Sequence, residues 1–269
     1  MVVTGASSGI GAELARELSR RGYHVTLAAR RTELLESLAQ ELGGADAVSC
    51  DLADCTARRE LIERLTGGER VVSGLCNNAG YGSSGAFARL PLASEVAEVR
   101  VNVEALHELT GAVLPGMVDR REGAILNVAS IAGFQPMPGM ATYAATKAFA
   151  IAFSEALATE LRGSGVSCSV LCPGPTRTEF SRIAGVADIE RAFRATFASP
   201  ALVARAGVHA MLSGQRLAFP RARDRAVAMA GRFAPRSLQL AVVHAGTLGS
   251  LRGGLRRSGS LRGRLRRSR

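Results

Sequence analysis

No apolar run in the chain reaches the ~18 residues that a membrane span needs, so no membrane-spanning helix is expected. No secretory leader opens it: Met1-Val2-Val3 runs straight into a glycine-rich turn. Cysteines are few, odd in number and not spaced like metal ligands: Cys50, Cys55, Cys76, Cys168 and Cys172. Cys50, Cys76 and Cys168 lie in or beside β-rich runs, where cysteine usually serves as a small buried hydrophobe. This pattern argues against a disulfide framework and predicts a reducing, cytoplasmic setting without a metal site. Lysine is nearly missing. Of 34 Lys and Arg residues only Lys147 is a lysine. Either that is chance, or position 147 requires a compact, tunable ammonium that a guanidinium cannot imitate.

The 269 residues, 47% apolar and 21% charged, suit one large α/β domain of ordinary globular composition rather than two. The net charge of +11 is concentrated at one end. Residues 251–269 hold eight arginines and no acid, leaving about +3 for the rest, so the folded body carries no mark of a specific nucleic-acid binder.

Short β-rich runs alternate with helical stretches. Strands are predicted at Val2–Thr4, His24–Ala29, Ala47–Cys50, Val72–Asn77, Ala124–Ala129 and Val166–Leu171. Between them, helices are predicted around Leu14–Arg21, Thr32–Leu42, Thr56–Leu65, Leu92–Met117 and Tyr143–Arg162. Such alternation indicates a doubly wound parallel sheet with helices on both faces, whose ligands sit at the carboxyl ends of the strands. Residues 176–233 read as mostly helical, with a last strand near Arg216–Phe219, and 236–247 as a further apolar helix. The expected organisation is a single domain over 1–249, including extra C-terminal helices at about 176–249, followed by an Arg-rich tandem repeat over 250–269. Leu251, Leu255, Leu261 and Leu265 would share one face of a basic amphipathic helix suited to an anionic membrane surface or nucleic acid. Four glycines oppose that helix, and disorder is the expectation.

Thr4-Gly5-Ala6-Ser7-Ser8-Gly9-Ile10-Gly11 joins the first strand to the first helix. Glycines there permit a tight turn and let backbone N–H groups reach a pyrophosphate at a helix N-terminus. The same run would also serve as a plain tight turn. An acid about 20 residues past the glycines would select NAD; here Arg30 and Arg31 follow the second strand. A guanidinium suits the 2′-phosphate of NADP, unless the pair is simply a solvated helix start. Asp51, beside Leu52 after the third strand, either accepts a hydrogen bond from an adenine amino group or caps the next helix.

Ser130, Tyr143 and Lys147 form the sharpest signal. Ser130 ends the fifth strand; Tyr143 starts a helix 13 residues later, and Lys147 shares its face four residues on. Carbonyl reduction needs a proton donor to oxygen while hydride reaches carbon. A free tyrosine, with a pKa of about 10, is too weak an acid near neutrality. A cation ~4 Å away supplies roughly 4 kcal/mol at an effective dielectric of about 20, enough to lower it by ~2–3 units. Ser130 would polarise the substrate oxygen. Alone, Tyr143 reads as a boundary aromatic and Lys147 as a solvated helix residue.

Together, Thr4–Gly11, Asn77-Asn78-Ala79-Gly80, Ser130, Tyr143-x-x-x-Lys147 and Pro173-Gly174 resemble the short-chain dehydrogenase/reductase family over about residues 1–220. The resemblance implies a Rossmann-type fold and a bound NAD(P), with NADP rather than NAD selected by Arg30. It also implies Asn102 as a fourth catalytic residue holding a relay water, where composition alone suggests a satisfied helix asparagine. It further implies that Asn77, Asn78, Ala79 and Gly80 line the adenosine and ribose side, that Pro173, Gly174, Thr176 and Thr178 cover the nicotinamide, and that Lys147 binds the nicotinamide ribose. Homodimers or homotetramers are common in the family. Three departures stand out. The opening strand is short, or the true start lies upstream. The last strand lacks the Asp-Gly-Gly ending of fatty-acid-synthesis-type members. The arginine tail is foreign to the pattern.

The stretch Ala132–Met140 and residues 180–197 are expected to line the substrate pocket. Ile131, Phe134, Met137, Pro138, Met140, Phe180, Phe193 and Phe197 are its apolar candidates. No charge clusters near Tyr143 in sequence, so the expected substrate is a moderately large apolar, possibly lipid-like carbonyl or alcohol. The alternatives are a non-catalytic NADP-binding sensor or scaffold, and a protein that contacts membranes or nucleic acid through its tail.

Overall fold

In the computed structural model, residues 1–68, 70–186 and 196–241 are described. Seven parallel strands form one sheet: β1 (Val2–Thr4), β2 (Thr26–Ala29), β3 (Asp46–Ser49), β4 (Gly74–Asn77), β5 (Gly123–Val128), β6 (Val166–Leu171) and β7 (Leu217–Ala218). Their spatial order is β3-β2-β1-β4-β5-β6-β7. The chain moves outward from β1 through β2 to β3, then returns to pair β4 on the other side of β1. That reversal opens a crevice above the carboxyl ends of β1 and β4, where doubly wound sheets bind ligands.

Strand residues alternate between two cores, because successive side chains point to opposite faces. Val3, Leu27 and Leu126 bury against Leu14 and Leu18 of α1 (Gly9–Arg20), Leu35 of α2 (Thr32–Glu41), and Val203, Val208 and Met211 of α8 (Pro200–Ser213). Val2, Ala28, Leu75 and Ile125 bury on the other face. They pack with Leu61 and Leu65 of α3 (Cys55–Gly67), Leu109, Val113 and Met117 of α5 (Ala105–Arg120), and Leu157 of α6 (Ala141–Glu160). Each fully buried leucine contributes about 2 kcal/mol, and the two-sided covering explains why the central strands read as nearly unbroken apolar runs.

Three shorter pieces complete the site's frame: α4 (Leu92–Val99), α7 (Phe180–Ile183) and α9 (Ala222–Phe233). The long helix expected at Leu92–Met117 is α4 and α5 joined by a π-helical turn, Arg100–Glu104. Such a turn carries an extra residue and often marks a functional position. After Pro235 helical structure resumes over 236–241. The rest of the predicted 236–247 helix, Phe193 and the whole 250–269 repeat lie outside the described residues. Among the described residues, no helix is long and apolar enough to cross a membrane.

Candidate active site

The first turn leaves β1 at Thr4 and enters α1 at Gly9. Gly5 and Gly9 adopt φ of +64° and +57°, a region where a side chain is strained. At Gly11 a Cβ would fall 2.5 Å from Asn78 Nδ2 and 2.8 Å from the Gly5 carbonyl carbon. Ser8 is the N-cap of α1, yet its side chain makes no capping bond. The turn around Ser7, Ser8 and Ile10 is therefore a cradle that side chains would fill, set at the positive end of a helix dipole and suited to an anion.

Thr4 ties this cradle to β4. Its hydroxyl accepts from the N–H groups of Asn78 (3.1 Å) and Ala79 (3.0 Å) and donates to the Cys76 carbonyl (3.3 Å). The Asn78 amide donates back to the Thr4 carbonyl at 2.9 Å. Asn77 behaves differently from its neighbours. Its amide turns into the interior and donates to Thr110 Oγ1 and Asn127 Oδ1, each at 2.9 Å. Its side chain braces β4 against α5 and β5 instead of facing the cleft.

Arg30 is exposed at the end of β2 and makes no ion pair among the described residues. Arg31 is engaged: its guanidinium donates to Ser7 Oγ and pairs with Glu179 at 2.7 Å. Asp51 accepts from the Ala53 N–H at 3.0 Å, but it does not cap α3. Asp54 does, accepting from Thr56 and Ala57, because it stands directly before the helix. Leu52 is buried beneath the turn.

A strap after β6 closes over the cradle. The Pro173 carbonyl accepts from the Ile131 N–H (3.1 Å), Thr176 Oγ1 donates to the Gly174 carbonyl (2.9 Å), and Thr178 lies against Gly9. Glu179, on this strap, is held near pKa 2, chiefly by Arg31 and then by Ser8. That contact joins residues 148 apart in the chain, so no local spacing signals it.

The chemistry lies at the carboxyl end of β5. Ser130 caps the short helix Ile131–Phe134, its Oγ accepting from the Ala132 N–H at 3.1 Å. It faces the half-buried Tyr143, and Phe180 packs over the Tyr143 ring at 5.0 Å between centroids. Lys147 is buried; its Nζ donates to the Val128 carbonyl at 2.8 Å and lies 5.8 Å from the Tyr143 ring centroid. Asn102, in the π turn, donates to the Tyr81 carbonyl (2.9 Å) and Thr146 Oγ1 (3.0 Å) and accepts from the Tyr81 N–H (3.2 Å). It locks the loop after β4 onto α6. A Cβ at Gly80 would meet both Asn102 Oδ1 and Lys147 Nζ, at 3.0 and 3.1 Å, which accounts for glycine at that point.

A strand-end serine and a tyrosine with a lysine one helical turn on thus converge beside an anion cradle at the switch point of a parallel sheet. Residues 1–186 match the family model described as short chain dehydrogenase. The chain belongs to the short-chain dehydrogenase/reductase family. As a member it is an oxidoreductase of the alcohol–carbonyl class. An uncharacterised oxidoreductase of Myxococcus xanthus is 37% identical over 184 residues, 67% of this chain and 73% of that protein. A short-chain dehydrogenase from Sphingobium yanoikuyae, solved in complex with NADPH, aligns with a TM-score of 0.76 at 31% identity, covering 94% of this chain and 93% of that one. A bulky-bulky ketone specific alcohol dehydrogenase from Comamonas testosteroni aligns with a TM-score of 0.73 at 28% identity over 92% of each chain.

Three expectations about this short-chain dehydrogenase need revision. The Tyr143 phenol is pushed up to about 12, chiefly by burial, with Glu98 adding to the rise and Ser130 opposing it. The ammonium expected to pull it down is bonded to a backbone carbonyl and is itself lowered by burial to about 8. Phe134 is partly buried against the cluster around Ile151 and tilted against Phe219 at 5.8 Å between centroids, so its ring packs on the core. The surroundings of Tyr143 are also not free of clustered charge. Glu95 and Glu98 of α4 are both buried close by, on a helix more than 40 residues away in sequence.

Proposed function

We propose that this enzyme is an NADPH-dependent reductase of moderately large apolar ketones or aldehydes, working in reverse as an alcohol dehydrogenase. The observation that carries the reading is the convergence of Ser130, Tyr143 and Lys147 beside the glycine cradle. NADPH is favoured over NAD by Arg30, a cation left unpaired among the described residues where the adenosine ribose would lie, and by the NADPH complex of the Sphingobium relative. Bulky apolar substrates are supported by Phe180 over Tyr143 and by the ketone preference named for the Comamonas relative.

When bound, NADPH supplies the hydride. The residues that would hold it are Gly5, Ser7, Ser8, Gly9, Ile10 and Gly11 at the pyrophosphate. Arg30 and Arg31 would serve the 2′-phosphate, Asp51 and Leu52 the adenine, and Asn78, Ala79 and Gly80 the ribose. Pro173, Gly174, Thr176 and Thr178 belong to the nicotinamide end. Ser130 donates a hydrogen bond to the substrate oxygen, and Tyr143 passes its phenolic proton to that oxygen as charge develops. Lys147 keeps a positive charge beside the tyrosine, and Asn102 fixes the loop after β4 to α6 through Tyr81 and Thr146. The reacting unit is residues 1–249, acting as a homodimer or homotetramer in the cytoplasm, with the Arg-rich 250–269 as an appendage.

Assays with acetophenone, benzophenone and decanal, followed by NADPH absorbance, test this reading. Turnover of at least one with NADPH supports it; NADPH binding without turnover of any supports a sensor instead. Arg30→Ser is expected to weaken NADPH binding roughly 10- to 100-fold, the worth of a charge-assisted hydrogen bond, while leaving NADH binding unchanged. Equal losses for both would remove Arg30 from the 2′-phosphate.

A further inference from the structure

Glu98 is among the most deeply buried charged residues of the fold, with no exposed surface. Neither of its carboxyl oxygens receives a hydrogen bond of good geometry among the described residues, although the hydroxyl and N–H of Ser83 lie near enough to oppose its rise. Its neighbour Glu95 is in the opposite condition. Ser83 Oγ and Thr142 Oγ1 donate to the two Glu95 oxygens at 2.5 Å each, so this carboxylate clasps the loop after β4 to the residue before Tyr143. Glu95 is thus explained by structure, and Glu98 is not.

A buried carboxyl without a partner is destabilising when charged, and such groups cluster where pKa values are being tuned. Glu98 lies four residues before Asn102, in the last turn of α4 ahead of the π-helical turn. The groups that face it are Glu95 on its own helix, Ser83 and Tyr81 from the loop after β4, and Tyr143 and Lys147 from α6. Lys147 is the one cation among them.

Building on the catalytic reading above, we propose that Glu98 is a positioning residue for proton transfer, a buried counter-charge to Lys147 that sets how readily Tyr143 exchanges its proton. The electrostatics run in one direction. Burial pushes Glu98 itself up to about 7, with Ser83 and Lys147 opposing and Glu95 adding to the rise. Below that pH it is neutral. Above it the carboxylate raises both Tyr143 and Lys147, holding each proton to higher pH.

The test uses the full chain, its Glu98→Gln variant, which keeps shape but not charge, and Glu98→Asp, which restores charge. The pH dependence of NADPH-driven reduction is measured for all three on the ketone turned over best. In Glu98→Gln the alkaline midpoint is expected to move down by about one pH unit. The native and Gln profiles should converge below about 7, where Glu98 is itself neutral, and Glu98→Asp should recover most of the native midpoint. A Gln profile that superimposes on the native one overturns the proposal while leaving the catalytic reading intact. So does a loss of rate that is uniform with pH, since that is what mere structural damage would give. Absence of turnover in the native chain overturns both.

A second measurement does not depend on activity. Because the folded-state pKa of Glu98 lies above its unfolded value, its protonated form adds stability that is lost as pH rises through about 7. Glu98→Gln should therefore melt higher than the native chain above that pH and equally at the acid end. Equal melting temperatures across the range would mean that Glu98 carries no buried charge, and the proposal would fall.

Discussion

Tyr143→Phe is expected to lose about 10³-fold in kcat/KM for NADPH-driven reduction while binding NADPH within a few-fold of the native chain. The substitution removes one hydroxyl and leaves the ring, so the packing of Phe180 at 5.0 Å survives. What disappears is the group that can give a proton to the forming alkoxide. Ser130 cannot replace it, because an aliphatic hydroxyl is a far weaker acid than a phenol. Steady-state kinetics on the ketone panel and a fluorescence titration with NADPH read the two quantities separately. A variant that retains turnover within about tenfold, well inside the range for a lost general acid, would move the acid role to another residue. A variant that loses NADPH affinity in parallel would show that Tyr143 shapes the cofactor cleft rather than the proton step.

The positions of the strands, the cradle and the Ser130–Tyr143–Lys147 set were legible because each rests on short-range spacing. Alternation places motifs at strand ends, and an i,i+4 interval places Tyr143 and Lys147 on one helix face. What escaped was set by contacts between distant segments. Glu95 and Glu98 look like ordinary polar residues of an amphipathic helix; only the packing of α4 against α6 turns them into buried acids. Asn77 reads as one letter of a cleft motif, yet the β4 register with β5 sets it beside Asn127 and draws its amide inward. Phe134 sits in the stretch before Tyr143, but its ring packs against the distant Ile151 cluster and Phe219. For Tyr143 the Coulomb argument counted a cation and omitted desolvation, which pushes the half-buried phenol the other way.

Lys147→Arg should reduce kcat/KM about 10²-fold or more, although the formal charge is kept. The native side chain is 6% exposed and fits between Gly80, whose added Cβ would lie 3.1 Å from Nζ, and the Val128 carbonyl. A guanidinium is longer, planar and cannot compress into that space without displacing Gly80 or Asn102. The two cations also differ in titration. Burial lowers the lysine to about 8, so it loses its charge within the working range, and native reduction should fall as pH rises through that value. Arginine stays charged there. Whatever rate the variant retains should therefore lack the alkaline limb near 8, and the pH profile separates this electrostatic difference from a simple loss of fit. Should Lys147→Arg keep both the native rate and the native limb, the limb would belong to another group, and the chain's single lysine would owe its place to chance.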